Sequence, residues 1–252
     1  MIVKLIIAGV VNLTLAILVY KFKALNLKAV VIAFVLGVFV FVYSLFAYIV
    51  LLVYFLSAII LEKILLKKEK EKRNSLQVIS NIVFAIIALV LFRVTDNAKY
   101  LLVFSSVLSV SLCDTVASTT GTKLAKKVYS ITKFVELPKG VSGGVSLVGT
   151  LSGFSAGLYL SVVCFVVANL LKIDWGIKYS LVVWFGGFAG MLVDSLLGER
   201  LQKKYFCNKC NRLSDKKYCC DTLCERIGGF LTNSQVNVVS EGMIFAILVL
   251  LI

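Results

Sequence analysis

From Ala29 to Leu61 the chain runs for 33 residues without a charged side chain. Apolar stretches of about 20 residues cross a bilayer, so this run places the chain in a membrane. As a single helix it would be about 50 Å long, against a hydrocarbon core of roughly 30 Å. Two short spans that turn near Tyr43–Leu45 fit better, although neither proline nor glycine marks the turn. The same pattern of uncharged blocks and lysine-rich loops places spans at 3–20, 29–43, 45–62, 77–92, 100–115, 146–171, 178–197 and 235–252. The expected fold is therefore all-α: a polytopic transmembrane helix bundle of about eight spans. It forms one membrane domain over residues 1–252, with a small cytoplasmic cysteine-rich loop, 199–232, between the last two spans. Met1–Tyr20 has no basic leader and no small-residue exit, so it reads as a retained span and not as a cleaved signal.

With eight spans, 22 of the 27 lysines and arginines fall in the loops 21–28, 63–76, 114–143 and 199–232, all on one side. The positive-inside rule makes that side cytoplasmic and puts both termini outside, as for a protein of the cell membrane. Merging the two short spans would weaken this asymmetry. The net charge of +14 is then a product of topology and anionic lipid headgroups, and no nucleic acid is expected as partner. The chain has no histidine, so any catalysis must rest on carboxylates, lysine, metal or positioning. Glycines recur every fourth residue at Gly149, Gly153 and Gly157, and at Gly186, Gly190 and Gly198 with Asp194 between them. That spacing lets membrane helices approach closely, and it points to the sixth and seventh spans as the crowded centre.

Polar residues gather at one depth. Asp114 closes the fifth span and Asp194 the seventh; Ser118 shares a face with Asp114 if that helix continues. Lys72 and Arg73 precede Gln77 and Asn81, which open the fourth span, while Asn233, Gln235 and Asn237 open the eighth, with Glu241 one turn deeper. Each alone is explained by a helix cap or an interhelical hydrogen bond. Together, at the cytoplasmic boundary, they form a candidate site, because ionisable groups at membrane depth are expensive to keep. Carboxylate and amide oxygens beside cationic side chains suit a magnesium ion holding phosphate oxygens. The loop Pro138–Ser146 adds Lys139, Gly140, Ser142, Gly143 and Gly144 just ahead of the sixth span, where backbone N–H groups and a helix N-terminus attract anions. It is not a Walker A loop.

Five of the seven cysteines, Cys207, Cys210, Cys219, Cys220 and Cys224, lie in the loop between the last two spans. In a cytoplasmic loop this pattern favours structural zinc over disulfides, with Cys207 and Cys210 as ligands and two more from the other three. Cys113 and Cys164, inside spans, are packing residues.

The elements Asp114–Ser118, Pro138–Thr150, Asp194–Gly198 and Asn233–Asn237, in this order, resemble a membrane-protein family of formerly unknown function that includes plant phytyl-phosphate kinase and animal transmembrane protein 19. Lys72-Arg73 with Gln77 and Asn81 resembles the start of its fourth span, and the cysteine loop resembles that of its prokaryotic members. The resemblance implies phosphoryl transfer from a nucleoside triphosphate, CTP, to a prenyl monophosphate of phytyl or geranylgeranyl type. It implies Asp114 and Asp194 as magnesium or phosphate-site carboxylates, and Lys139 with Gly140, Ser142, Gly143, Gly144 and Ser146 as a phosphate cradle. Arg73 would offset developing charge, and Gln77, Asn81, Ser118, Ser195, Gly198 and Asn237 would line the substrate and nucleotide seats. Thr119 departs from the pattern, which has glutamate there. Two other readings use the same groups: a CTP-dependent lipid cytidylyltransferase, and a carrier or flippase of phosphorylated lipids.

Overall fold

The uncharged run breaks at Ser44, between α2 (Leu27–Tyr43) and α3 (Leu45–Leu66). Ser44 is extended (φ −156°, ψ 119°); its N–H donates to the Val40 carbonyl, and its Oγ accepts from the Ala47 N–H at 3.2 Å. One serine thus closes one helix and caps the next, which is why neither glycine nor proline is needed.

The computed structural model describes residues 2–66 and 72–251. Lys67, Lys68 and Lys70, part of the charge asymmetry, and Ile252, the end of the eighth expected span, lie outside them. The remaining helices are α1 (Ile2–Lys21), α4 (Ser75–Ser80), α5 (Val83–Thr95), α6 (Lys99–Leu124), α7 (Leu147–Leu170), α8 (Ile177–Leu201) and α9 (Asn233–Leu251). Six of the described helices (α1, α3, α6, α7, α8 and α9) are long and apolar enough to cross a membrane; α2 and α5 are shorter apolar helices. The protein is a polytopic helical bundle.

The fourth expected span is two helices. The chain breaks at Asn81–Ile82, between α4 and α5, and the Asn81 carbonyl accepts from Ser111 Oγ at 3.2 Å. Backbone released from a helix at membrane depth needs such a partner.

The centre of the bundle is α6, not the glycine-bearing helices. It is buried on every side from Leu101 to Cys113, with α7 and α8 laid along it. Small residues make this possible. A Cβ on Gly149 would meet the Ala117 carbonyl at 2.8 Å, and one on Gly153 the Cys113 carbonyl at 3.1 Å. On α8 the tight contacts are Gly187 against Ser109 and Gly190 against Val110, whereas Gly186 has nothing closer than 4.0 Å. Two helices also run further than expected: α6 continues ten residues past Asp114, and α8 seven past Asp194. Both aspartates therefore sit within helices and not at their ends.

The loops at this face carry strands that the all-α reading did not anticipate. Between α6 and α7, β1 (Val128–Ser130), β2 (Glu136–Leu137) and β3 (Gly144–Val145) pair antiparallel in the order β2-β1-β3. Between α8 and α9, β4 (Lys204–Cys207), β5 (Arg212–Ser214) and β8 (Glu225–Gly228) pair as β5-β4-β8, beside the hairpin β6 (Tyr218–Cys219) and β7 (Thr222–Leu223).

Candidate functional site

The break in the α4–α5 segment is the hub of a buried polar network. Asn81 Oδ1 accepts from Ser80 Oγ (3.0 Å) and from Asn237 Nδ2 (3.2 Å), and Asn237 Oδ1 accepts from Asn233 Nδ2 (3.3 Å). Ser111 Oγ contacts Glu241 Oε1, whose other oxygen has no partner among the described residues. Ser240 Oγ donates to Asp194 Oδ2 at 2.8 Å. Asp114, Asp194 and Glu241 lie close enough for their charges to act on one another. Carboxylates crowded in a medium of low dielectric repel strongly unless a cation or proton intervenes.

Two polar cavities open among these residues. One, of about 740 Å³, is lined by Arg73, Gln77, Asn81, Asp114, Ser118 and Asn237, among others. The second, of about 930 Å³, lies beneath the glycine loop and is lined by Asp114, Ser118, Gly140, Ser142–Ser146, Asp194, Ser195 and Gly198. They share Asp114, Ser118, Thr122 and Asn233. Thr119, where the resembled pattern has glutamate, lines only the first. A third cavity, of about 850 Å³, is almost wholly apolar; it lies among α1 to α4 and meets the first at Arg73, Gln77 and Asn81. Its lining includes Asn12, Ala33, Gly37, Tyr48 and Leu51.

The fold thus gathers all the proposed magnesium, substrate and nucleotide residues at these cavities, while Lys139 is exposed and lines none of them. Some have prior commitments. Gln77 completes a capping box with Asn74 at the start of α4. Arg73 is buried and paired with Glu62, Nε to Oε2 at 3.1 Å and a second prong from its terminal nitrogen to Oε1. Tyr54, also buried, interacts with Arg73. Glu62, Tyr54, Ser111 and Ser240 were not singled out from the sequence. Only Glu62 carried a signal, as a charge at the end of a span with a basic residue eleven positions on.

The glycine loop is held from two sides. Glu199, on the last turn of α8, accepts from Ser130 Oγ (2.6 Å), Thr132 Oγ1 (2.8 Å) and the Thr132 N–H (3.0 Å). Gly143 has φ +79°, and a Cβ there would lie 2.6 Å from the Glu199 Cα, so close packing already demands glycine. Opposite, Asp215 accepts from the Ser142 N–H (2.9 Å), Ser142 Oγ (3.2 Å) and Gln202 Nε2 (2.9 Å). Burial raises the Asp215 carboxyl above its ordinary range, against the pull of the Ser142 donors. The donors of Ser142 are thus engaged by a carboxylate of the cysteine loop. Ser146 caps α7, its Oγ accepting from the Gly149 N–H at 3.1 Å, and the start of that helix lines the second cavity.

In the cysteine loop, the sulfurs of Cys207, Cys210, Cys219 and Cys220 lie within 4.8 Å of one another. Cys224 is buried beside them, its Sγ 3.9 Å from the Thr222 carbonyl, and is not part of the group. The Cys207 thiol is pulled down to about 6, first by the Cys210 backbone N–H, while hydrogen bonding to Cys220 and Cys210 pushes Cys219 up to about 12.

Residues 10–245 match the family described as integral membrane protein DUF92. The chain is 37% identical over 97 residues to an uncharacterised membrane protein of Synechocystis, covering 38% of this chain and 36% of the relative. It is 31% identical over 136 residues to Protein PGR of Arabidopsis thaliana (50% and 46%). Against an uncharacterised membrane protein of Methanocaldococcus jannaschii it is 30% identical over 152 residues (58% and 59%). The chain thus spans between about a third and three fifths of the length of these relatives. No solved structure matches it. With a match running from α1 into α9, the chain belongs to the DUF92 family of integral membrane proteins.

Proposed function

We propose that this protein transfers a phosphoryl group from a nucleoside triphosphate, CTP, to a prenyl monophosphate of phytyl or geranylgeranyl type, at the cytoplasmic face of the membrane. The observation that carries the reading is the junction of three cavities. An apolar cavity meets a polar one at Arg73, Gln77 and Asn81, and that one shares Asp114, Ser118, Thr122 and Asn233 with a second polar cavity. A lipid phosphate needs an apolar path for its tail and a polar seat for its head; a nucleotide needs another polar seat beside it. Asp114 stands where the two phosphates would meet, and Asp194 lines the second polar seat beside it.

The chemistry suits a chain without histidine. The attacking group is an oxygen of the prenyl phosphate, and phosphate monoesters lose their second proton near pH 6, so at neutral pH no side chain has to remove a proton. That oxygen bonds to the terminal phosphorus of the nucleotide as the bridge to the middle phosphate breaks, giving prenyl diphosphate and nucleoside diphosphate. The task left to the protein is to hold anions together and in line. Asp114 and Asp194, with the hydroxyls of Ser118 and Ser195, form a hard-oxygen set that fits magnesium, and the mutual repulsion of the carboxylates calls for a cation there. Magnesium bound at these residues supplies charge neutralisation on the phosphate oxygens. Arg73, oriented by Glu62, faces the head-group seat, and Asn81 and Asn237 fix one another beside it. The start of α7 faces the nucleotide seat.

Purified protein with magnesium, geranylgeranyl monophosphate and CTP labelled at the terminal phosphate tests this directly. Label in the prenyl diphosphate, with CDP released, is expected. A lipid carrying CMP with loss of pyrophosphate would mean a cytidylyltransferase, and no turnover of any nucleotide would overturn the kinase reading.

A further inference from the structure

The segment from Lys203 to Thr232 has almost no core of its own: Cys207 and Cys224 are its fully buried apolar residues. Tyr218, Leu223, Ile227 and Phe230 are exposed, and every residue of β8 is exposed. Units this small are held by disulfides, metals or a partner surface, because they bury too little apolar area. Disulfides are not formed here: all the cysteines are free. Cys210 and Cys219 lie 3.8 Å apart, sulfur to sulfur, and Cys219 and Cys220 3.7 Å. Bonds of about 2.3 Å from a tetrahedral zinc place its sulfurs roughly 3.8 Å from one another. The spacing is that of a metal's coordination edge and far from that of a sulfur–sulfur bond, about 2.05 Å. Neighbouring Cys219 and Cys220 can face one centre because Cys220 and Asp221 form the turn between β6 and β7, both with positive φ (52° and 58°).

The same lobe sends one carboxylate into the bundle. Asp215 stands between the two cysteine pairs in sequence, lines the cavity that holds Asp114 and Asp194, and takes both donors of Ser142. Within the lobe Ser214 Oγ accepts from the Lys216 N–H at 3.0 Å, and the turn buries no apolar side chain fully: Leu213 is half-buried and Tyr218 exposed. Its position depends on the strands either side, β5 and β6, whose adjoining residues carry Cys210 and Cys219.

We propose that Cys207, Cys210, Cys219 and Cys220 hold one zinc ion, and that this centre fixes Asp215 as the tether of Ser142, so that metal loading of the cysteine lobe sets the shape of the glycine loop over the carboxylate cavity. Cys224 is packing. Asp215 is a positioning residue that acts through Ser142, and Gln202 Nε2 holds the same carboxylate from α8's C-terminal end. The proposal does not depend on which reaction the cavity serves.

The test uses the full chain in detergent and needs no turnover. Metal analysis should find one zinc per chain, retained in Cys224→Ser and lost in Cys220→Ser. Hydrogen exchange then reads the Ser142 N–H. Chelating zinc from the wild-type protein should speed exchange across residues 138–146 at least about tenfold, the scale of one lost hydrogen bond, while α6 and α8 stay protected. Asp215→Ala should keep its zinc and show the same faster exchange. Chelation of the wild type covers the case in which a cysteine variant fails to fold. A chain that binds no zinc with its thiols reduced, or retention by Cys220→Ser with loss in Cys224→Ser, would overturn the metal site. Unchanged exchange at 138–146 after chelation, or in Asp215→Ala, would overturn the tether.

Discussion

Arg73 meets Glu62, eleven positions earlier in the sequence, and both side chains are about nine-tenths buried. A cation read from sequence as charge for a phosphate is thus first one half of a buried pair. Removing one partner of such a pair leaves an uncompensated charge, which costs about 3–5 kcal/mol, while replacing both by apolar groups costs far less. Glu62→Gln should therefore lower the thermal midpoint in detergent sharply, and Glu62→Gln with Arg73→Met should recover most of the loss; equal midpoints for the single and double variants would refute the coupling. Asp194 is held by a single hydrogen bond from the neutral Ser240 hydroxyl. Asp194→Asn should abolish phosphoryl transfer in a protein that still folds. Ser240→Ala, which frees the carboxylate without removing it, should lower kcat by about ten- to a hundredfold, with Ser240→Thr restoring part. A Ser240→Ala enzyme of full activity would show that Asp194 needs no positioning. Asp114, Asp194, Asn81 and Asn237 were legible because charge and amide are rare in apolar runs. Ser111 and Ser240 were not, since serine is ordinary in membrane helices, and Asp215 was hidden in a loop already dense with charge.

The helices were legible for the same physical reason: a bilayer admits only segments that satisfy their own backbone, and hydropathy marks them. Their interruptions were less so. Ser44 lies at the expected turn, but the break at Asn81 has no glycine or proline to announce it and depends on Ser111, thirty positions away, to donate to the freed Asn81 carbonyl. The strands near the loop face are short and set by partners such as Glu199, which no local periodicity encodes. The glycine spacing pointed to close helix contacts through Gly186, but the residue that packs is its neighbour Gly187, which that spacing passed over. A Cβ at Gly187 would lie 2.7 Å from Ser109 Cβ and 3.0 Å from its backbone carbon, while one at Gly186 meets nothing nearer than 4.0 Å. Gly187→Ala should cost about 1–3 kcal/mol by forcing α8 off α6. Gly186→Ala should be neutral or stabilise by up to about 1 kcal/mol through helix propensity. Thermal unfolding of the two variants side by side decides it, and equal effects would mean that α8 packs on α6 through another face.

At the scale of the whole molecule, the bundle divides its labour by position. Central α6 and its neighbour α8 carry Asp114 and Asp194 beneath the loops, while α1 and α2 stand to one side with α3 and α4 and enclose the apolar cavity. Part of that cavity's wall is fixed by hydrogen bonds and close packing. Tyr48 Oη donates to Asn12 Oδ1 at 3.3 Å, Asn12 Nδ2 donates to the Ala8 carbonyl at 2.9 Å, and Gly37 lies directly against the Asn12 side chain. If the tail of a prenyl phosphate fills this space with its head at Arg73, the depth available sets the chain length accepted. Each buried methylene contributes about 0.8 kcal/mol, so a five-carbon unit denied its place forfeits on the order of several kcal/mol. Ala33 lines the cavity, and Ala33→Phe would fill part of it without touching Arg73, Asn81 or the carboxylates. The variant should lose at least about tenfold in kcat/KM for geranylgeranyl phosphate and change less than about threefold for geranyl phosphate, whose chain is half as long. Equal losses for both would indicate general damage to the fold, and no loss for either would place the tail elsewhere, on the lipid-facing surface of the bundle.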